Sequence, residues 1–193
     1  MLTNSILRSA INLYEANTLA AIRLAKAASV PAPISLSFNT SMLSKEVIKA
    51  LSIRIPTGGR KEDTDSEFIY IFSLRACSKR DLQSLSEKFA TARETQRISG
   101  SARSLCRLNG VHENDQILYI GRSYSPRERF RAHMSAEASG PYAIRFSSWV
   151  TTLDLTIDFH LFQFKELDDG SAQAVEDGLW DEFNPLLGER GAR

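Results

Sequence analysis

The sequence contains little cysteine. Its two cysteines, Cys77 and Cys106, do not have the close spacing of a metal-binding pair. A small secreted scaffold held together by disulfides would need more of them, so that architecture is excluded. We expect both side chains to be free buried thiols, which fits a reducing, cytoplasmic environment.

The sequence also lacks a long hydrophobic run. No apolar stretch approaches the roughly 20 residues that are needed to span a bilayer. The stretch TLAAIRLAKAASVPAPI is interrupted by Arg23 and Lys26, whereas a secretory signal has an unbroken apolar region. These features favour an amphipathic helix over a signal sequence, and they predict no membrane partner.

Net charge is nearly absent as well, at +1, but the charges are unevenly distributed. Residues 66–150 hold 13 Lys and Arg against eight Asp and Glu, whereas residues 151–193 hold three against ten. A basic middle segment can contact a polyanion and an acidic end can hold a cation, although both can equally be solvated surfaces.

Hydrophobic periodicity predicts a mixed α and β chain. Helices are expected over residues 3–28, 44–53, 79–97, 102–108 and 171–184, and strands over 68–74, 117–121 and 156–164. The strands FIYIFSL and ILYIG are apolar on both faces, which indicates a sheet covered by helices on each side. The predicted fold class is therefore α/β or α+β.

The stretch PTGGRKEDTDSE has no apolar residue and is rich in glycine and charge, which is typical of a linker. It divides the chain into an N-terminal helical region over residues 1–60 and a domain over residues 67–190. Within that domain, residues 78–110 are expected to form a helical insertion between two strands.

The stretch SPRERFRAHM carries a strong helix-start pattern. Ser125 suits the N-cap, where its hydroxyl accepts backbone N–H groups, Pro126 suits the first helical position, and Glu128 can reach back to the cap. Arg129 and His133 then share one helix face at the edge of the buried stripe, so we expect both to be half exposed. Taken alone, this stretch favours ordinary surface residues.

Glu176 favours a functional site over this surface interpretation, because it lies inside the apolar stripe of the last helix. It stands four residues after Ala172, three before Leu179 and four before Trp180. An inward carboxylate must be paired, protonated or metal-bound, because an unpaired buried charge is very costly. A structural salt bridge to one of the arginines and a functional role are both open.

Taken in order, these residues resemble the GIY-YIG nuclease family over about residues 67–190. FIY at 68–70 and YIG at 119–121 match the two motifs, Arg129 and His133 match the R-x-x-x-H positions, and Glu176 precedes a Leu-Trp pair and Pro185. Three features depart from the pattern. Phe68 replaces a glycine, an insertion separates the two motifs, and Gly188 stands in place of the family's asparagine. The ending PLLGERG resembles a little-characterised bacterial branch.

The resemblance implies a small domain with a central, mainly antiparallel sheet of about three strands flanked by helices. It also implies a metal-dependent DNA endonuclease in which Glu176 holds Mg²⁺ or Mn²⁺. Tyr70 would act as the base or orient the water, and Arg129 would neutralise the phosphate. Tyr119 and His133 would complete the site, with His133 accepting or relaying a proton. The alternative for both tyrosines is core packing.

Several arginines are expected to contact DNA phosphates, which gives affinity without sequence specificity. They are Arg103, Arg107, Arg122, Arg127 and Arg131. The N-terminal helices are expected to serve DNA targeting or formation of a homodimer. Two other functions are open: a catalytically inactive nucleic-acid-binding module of the same fold, and a protein-interaction domain in which Arg129 pairs with Glu176.

Overall fold

The computed structural model describes residues 4–75, 78–100, 105–110, 116–137, 142–165 and 167–191. Its helices and strands follow in the order α1 Asn4–Ala27, β1 Ile34–Asn39, α2 Lys45–Ile53, β2 Glu67–Leu74, α3 Lys79–Ser99, β3 Ile117–Arg122, α4 Pro126–Met134, β4 Thr156–Phe164 and α5 Asp169–Phe183. This confirms the predicted α+β class. Among the described residues, no helix has the length and apolar character needed to cross a membrane.

The sheet has four strands in the order β1-β4-β2-β3, rather than the three that were predicted, and all its pairings are antiparallel. The strand that was missed is β1, which lies between the two helices predicted for the N-terminal region. Its sequence ISLSFN alternates buried Leu36 and Phe38 with more exposed serines, the pattern of a half-buried strand. The N-terminal region therefore contributes an edge strand to the sheet.

Most helix ends agree with the sequence signals. Ser44 caps α2 by accepting the backbone N–H of Val47 at 3.2 Å, and α3 ends at Gly100, whose φ of +64° a glycine adopts without strain. The helix predicted over 102–108 is wrong in its second half, because Leu105 and Leu108 make isolated β-bridges. Residues 102–104 lie outside the described part of the chain.

The core is centred on β2, which lies between β3 and β4 and is covered on both faces, as expected. On one face Phe72, Phe130, Phe146 and Phe159 are almost completely buried and their rings contact one another. On the other face Ile69 belongs to a smaller cluster that includes residues of α5. Burying each of these rings is worth about 1.5–3 kcal/mol, so the cluster holds α4 and β4 against β2.

Candidate active site

A cleft of about 1040 Å³ lies beside β3, between α4, α5 and the segment that precedes β2. Tyr70 from β2, Tyr119 from β3, Arg129 from α4 and Glu176 from α5 all line it. Residues that are more than a hundred positions apart in the chain are thus brought to one surface. Four of the five predicted catalytic residues line this cleft, whereas His133 does not.

Gly121, the glycine of the YIG motif, makes room for the two tyrosines. The strand register places it opposite Tyr70, and a Cβ at this position would lie 2.6 Å from the Tyr70 hydroxyl and 2.7 Å from Tyr119 Cε1. The two rings are stacked with centroids 6.0 Å apart. Any larger residue would displace both hydroxyls from the cleft.

The Tyr70 hydroxyl is held by two donors. Arg129 Nε donates to it at 3.2 Å, and His133 Nε2 lies 3.0 Å away. The backbone N–H of Ile144 donates to His133 Nδ1 at 3.2 Å, so Nδ1 is the acceptor and Nε2 carries the ring proton. The Tyr70 oxygen therefore accepts both bonds and keeps its own proton available for another partner.

His133 is fully buried, so the prediction that it is half exposed is wrong. Its ring lies against those of Tyr119 and Phe72, at centroid distances of 4.6 and 5.4 Å. Burial, with Arg129 and Arg145 nearby, holds the pKa of His133 well below its usual range. A neutral ring that accepts at Nδ1 and donates at Nε2 positions Tyr70, and the predicted proton relay through it is not supported.

Arg129 is half buried, and its described partners are uncharged oxygens. Besides Tyr70, its Nη2 donates to the Tyr119 hydroxyl at 3.3 Å and to the Tyr142 carbonyl at 3.2 Å. Burial raises the pKa of Tyr70 above its ordinary value, although the positive charge of Arg129 acts in the opposite direction. At neutral pH both partners in this pair are protonated, and Tyr70 is a donor.

Glu176 lies inward on α5 with only 6% of its surface exposed, as the sequence predicted. Its Oε2 accepts from Gln173 Nε2 at 3.3 Å and lies 3.6 Å from Arg122 Nε. Burial raises the pKa of Glu176 to about 7, against the opposing charge of Arg122. Its Oε1 accepts no hydrogen bond from the described residues, so this atom is available to a ligand in the cleft.

Arg122 is surrounded by carboxylates. Its side chain is 13% exposed, donates to Asp169, and lies within 3.5 Å of Glu67 Oε2 in addition to its contact with Glu176. Nη2 also donates to Gln173 at 3.0 Å. Arg122 thus lines the cleft, but its charge already compensates three acidic groups, and its predicted contact with a DNA phosphate stays a prediction.

The other predicted phosphate contacts divide into two groups. Arg107 lines the cleft and is exposed. Arg127 donates to the Ile55 carbonyl at 2.8 Å, and Arg131 donates to Ser52 Oγ at 3.2 Å, so both connect α4 to α2 and its end instead. Arg103 lies outside the described residues.

Of the two cysteines, Cys77 also lies outside the described residues. Burial raises the pKa of the Cys106 thiol to about 12, which leaves it unreactive.

The segment predicted to be a linker forms one wall of the cleft and contributes Arg60 and Lys61 to its lining. Gly58 has a φ of +69°, and a Cβ there would lie 2.0 Å from the Tyr124 carbonyl oxygen. The Gly59 N–H donates to that same oxygen at 3.1 Å, and Ser125 Oγ donates to the Gly59 carbonyl at 2.7 Å. The two consecutive glycines in GGRK were the available sequence signal for this close packing.

The contact with Gly59 explains a second correction. Helix α4 begins at Pro126 after Ser125, as predicted, but the Ser125 hydroxyl makes no capping hydrogen bond. Glu128 does not reach back to the cap either, and its Oε1 accepts from Arg131 at 3.0 Å. The expected capping box is therefore wrong, because Ser125 is used to hold the cleft wall.

The cleft offers a divalent cation the carboxylate of Glu176. Among the described residues there is no group of three or more His, Cys, Asp or Glu arranged to hold a metal ion. Mg²⁺ commonly keeps several waters and binds through one or two carboxylates and substrate phosphates, which matches Glu176 with Oε1 open to the cleft. Gly188 has no side chain that could serve as a ligand, and a Cβ at this position would lie 2.8 Å from Tyr119 Cε2.

No protein-family model, no curated protein and no solved structure matches this chain.

Proposed function

We propose that this protein is a metal-dependent DNA endonuclease of GIY-YIG type, which hydrolyses phosphodiester bonds in the cleft. One observation carries the proposal. Tyr70, Tyr119, Arg129 and Glu176 come from four separate elements and line the same cleft. Chance placement of polar residues rarely directs two tyrosines, an arginine and an inward carboxylate to one surface, so a shared chemical task accounts for them best.

Arg129 is suited to bind the phosphate. Its planar guanidinium matches two phosphoryl oxygens at once, and the side chain lines the cleft while donating to phenol and carbonyl oxygens. The tyrosine hydroxyls hold the side chain in place without cancelling its charge. The arginine therefore stabilises the negative charge that develops on the phosphoryl group during hydrolysis.

Tyr70 is suited to orient the attacking water. Its oxygen accepts from Arg129 and His133, which fixes its position and directs its remaining proton away from both. Because burial raises its pKa, Tyr70 does not remove a proton unaided at neutral pH. Bound at Glu176, Mg²⁺ or Mn²⁺ would supply the missing activation by lowering the pKa of a coordinated water.

The lining of the cleft favours an anionic ligand. The cationic side chains of the lining outnumber the acidic ones by five to three, although Lys61 and Arg122 are already paired with Asp169. The cations are Arg60, Lys61, Arg107, Arg122 and Arg129, and the acids are Asp169, Glu176 and Glu189. A positive potential inside a concave surface concentrates a polyanion such as DNA near the tyrosines.

Nicking of supercoiled plasmid DNA in Mg²⁺ tests the proposal. Arg129→Ala should reduce the rate by about 10²–10³-fold, as removal of a transition-state donor does in other enzymes. Glu176→Ala should also reduce the rate, because the variant lacks the carboxylate that would hold the metal ion. Arg131→Ala is the matched control, since Arg131 is on the same helix and binds Ser52 outside the cleft. The proposal fails if the wild-type protein nicks no faster than the two cleft variants.

A second candidate is a nucleic-acid-binding module of the same fold that does not cleave. Gly188 favours it, because its φ of +103° and the 2.8 Å approach of Tyr119 leave no room for a side chain that would help hold a metal. This candidate predicts salt-sensitive DNA binding that is equal with and without Mg²⁺, and no nicking.

The protein-interaction alternative has less support. It required a structural pair between Arg129 and Glu176, but the ion pair of Glu176 is with Arg122. Such a domain would show neither DNA binding nor a metal effect, so the same assay separates it from the other two.

A further inference from the structure

Helix α1 is 24 residues long and none of its residues is buried. Apolar or small residues nevertheless recur along one line with alternating spacings of four and three, the heptad pattern of a helix that packs against another helix. The positions on this line, which we call the α1 seam, are Leu7, Ile11, Tyr14, Thr18, Ala21, Ala25 and Ala28. A helix with such a seam owes its stability to a packing partner.

The C-terminal half of the α1 seam has its partner within the chain. Helix α1 packs against α5, where the Ala21 methyl lies 3.7 Å from the position of a Cβ on Gly170. Ala21 and Ala25 are half buried, and Ala28 packs on the smaller core cluster behind α5. The alanines allow a close approach between the two helices.

The N-terminal half of the α1 seam is uncovered. Leu7 and Ile11 are each 56% exposed and Tyr14 is 75% exposed. These residues continue the line of the packed alanines, so a single seam is covered over one half and open over the other. Other large apolar side chains of α1 are also exposed, but the α1 seam is the line that continues into the alanines packed against α5.

We propose that the open half of the α1 seam binds the same half of a second copy of this chain, as an antiparallel two-helix coiled coil. The pairing makes a homodimer whose interface runs on from the contact between α1 and α5. Because each copy presents the same surface, the contact is isologous and closes at two subunits.

Charge fixes the antiparallel direction. Arg8 and Glu15 are seven residues apart on one edge of the open half, and both are exposed. When two copies of the helix pack antiparallel, the same edge of each helix faces the other copy. Arg8 of each copy therefore lies opposite Glu15 of the other. In a parallel pair Glu15 would instead face Ala10, and no such ion pair would form.

Sedimentation velocity of the full chain over a range of micromolar concentrations tests the interface. The wild-type protein should sediment as a dimer, and the double variant Leu7→Glu with Ile11→Glu should sediment as a monomer. Ile98→Glu is the matched control, because Ile98 is a similarly exposed residue on α3 and should leave the dimer intact. A monomeric wild-type protein, or a dimeric double variant, would overturn the proposal.

A charge swap tests the direction. Arg8→Glu places like charges opposite each other twice, and should raise the dissociation constant about fivefold at low salt. Adding Glu15→Arg to that variant restores both pairs and should return the constant to the wild-type value. If the second change weakens the dimer further, the helices are not antiparallel. The four positions Leu7, Arg8, Ile11 and Glu15 are exposed, so each variant should remain folded. Circular dichroism checks this.

Discussion

Arg122 and Arg129 line the same cleft but have opposite surroundings. Arg122 contacts the carboxylates of Glu67, Asp169 and Glu176, whereas the described partners of Arg129 are two phenol oxygens and a carbonyl. The first arginine holds acidic groups in place, and the second is held in place by neutral ones. Two arginines on one cleft thus have different roles: Arg122 holds carboxylates, and Arg129 positions the tyrosine hydroxyls.

Removing Arg122 should destabilise the protein more than removing Arg129. Glu67 and Glu176 are both buried, and Oε2 of Glu67 accepts no hydrogen bond from the residues that the structure describes. The hydrogen bond from Arg122 holds the pKa of Asp169 well below its usual range. Without the arginine, two buried carboxylates would lose their main positive neighbour.

Arg122→Ala should therefore have the largest effect, a loss of about 3–5 kcal/mol in the free energy of unfolding, as is found when one partner of a buried ion pair is removed. Arg129→Ala should cost less, because the hydroxyls that it leaves can be hydrated from the cleft. Urea unfolding of both variants measures the difference. Adding Glu67→Gln to Arg122→Ala should recover part of the lost stability. Equal losses for the two single variants would contradict the stronger structural role of Arg122.

Glu176→Gln should have a smaller effect that depends on pH. Burial raises the pKa of this carboxyl from 4.5 to about 7 in the folded protein, so the folded state binds the proton more tightly than the unfolded state. The stabilisation is complete below pH 4.5 and is lost as the pH rises through about 7. Above that range the ionised wild-type carboxylate is the less stable form. The Gln variant stays neutral, so its free energy of unfolding should be higher by about 3 kcal/mol at most.

Thermal melts at about pH 5 and about pH 8.5 check the sign of this effect. The advantage of Glu176→Gln should be large at the higher pH and small at the lower one. An advantage that does not change with pH would mean that the wild-type carboxyl does not titrate in this range, and that Arg122 keeps it ionised throughout.

Arg60→Ala should have the smallest effect, on the salt dependence of DNA binding. Arg60 is an exposed cation on the cleft wall, so its loss should reduce the slope of log K against log salt by about 1. Fluorescence anisotropy with an oligonucleotide in the absence of divalent cations measures the slope. Lys49→Ala on α2 is the control, and an equal change in both variants would exclude a specific contact at the cleft.

Much of this fold was predictable because its signals are local. The strands β2, β3 and β4 and the helices α2, α3 and α5 have clear periodicity and caps, and the inward position of Glu176 follows from helix geometry alone. The predictions failed where the deciding partner is distant in sequence. β1 has only two buried side chains. His133 is buried because its own helix, α4, packs against the sheet. Ser125 binds Gly59 instead of capping α4.

The pairing of β1 with β4 has a consequence for how the chain folds. Ser37 and Asp158 face each other in that pair although they are 121 residues apart. A newly made chain cannot complete its sheet, or dock α1 on α5, until most of it has been synthesised. Contacts of such high sequence separation slow folding, because a long loop must close before any of them is gained. We therefore expect the N-terminal strand to be the last part of the sheet to become protected against hydrogen exchange during refolding.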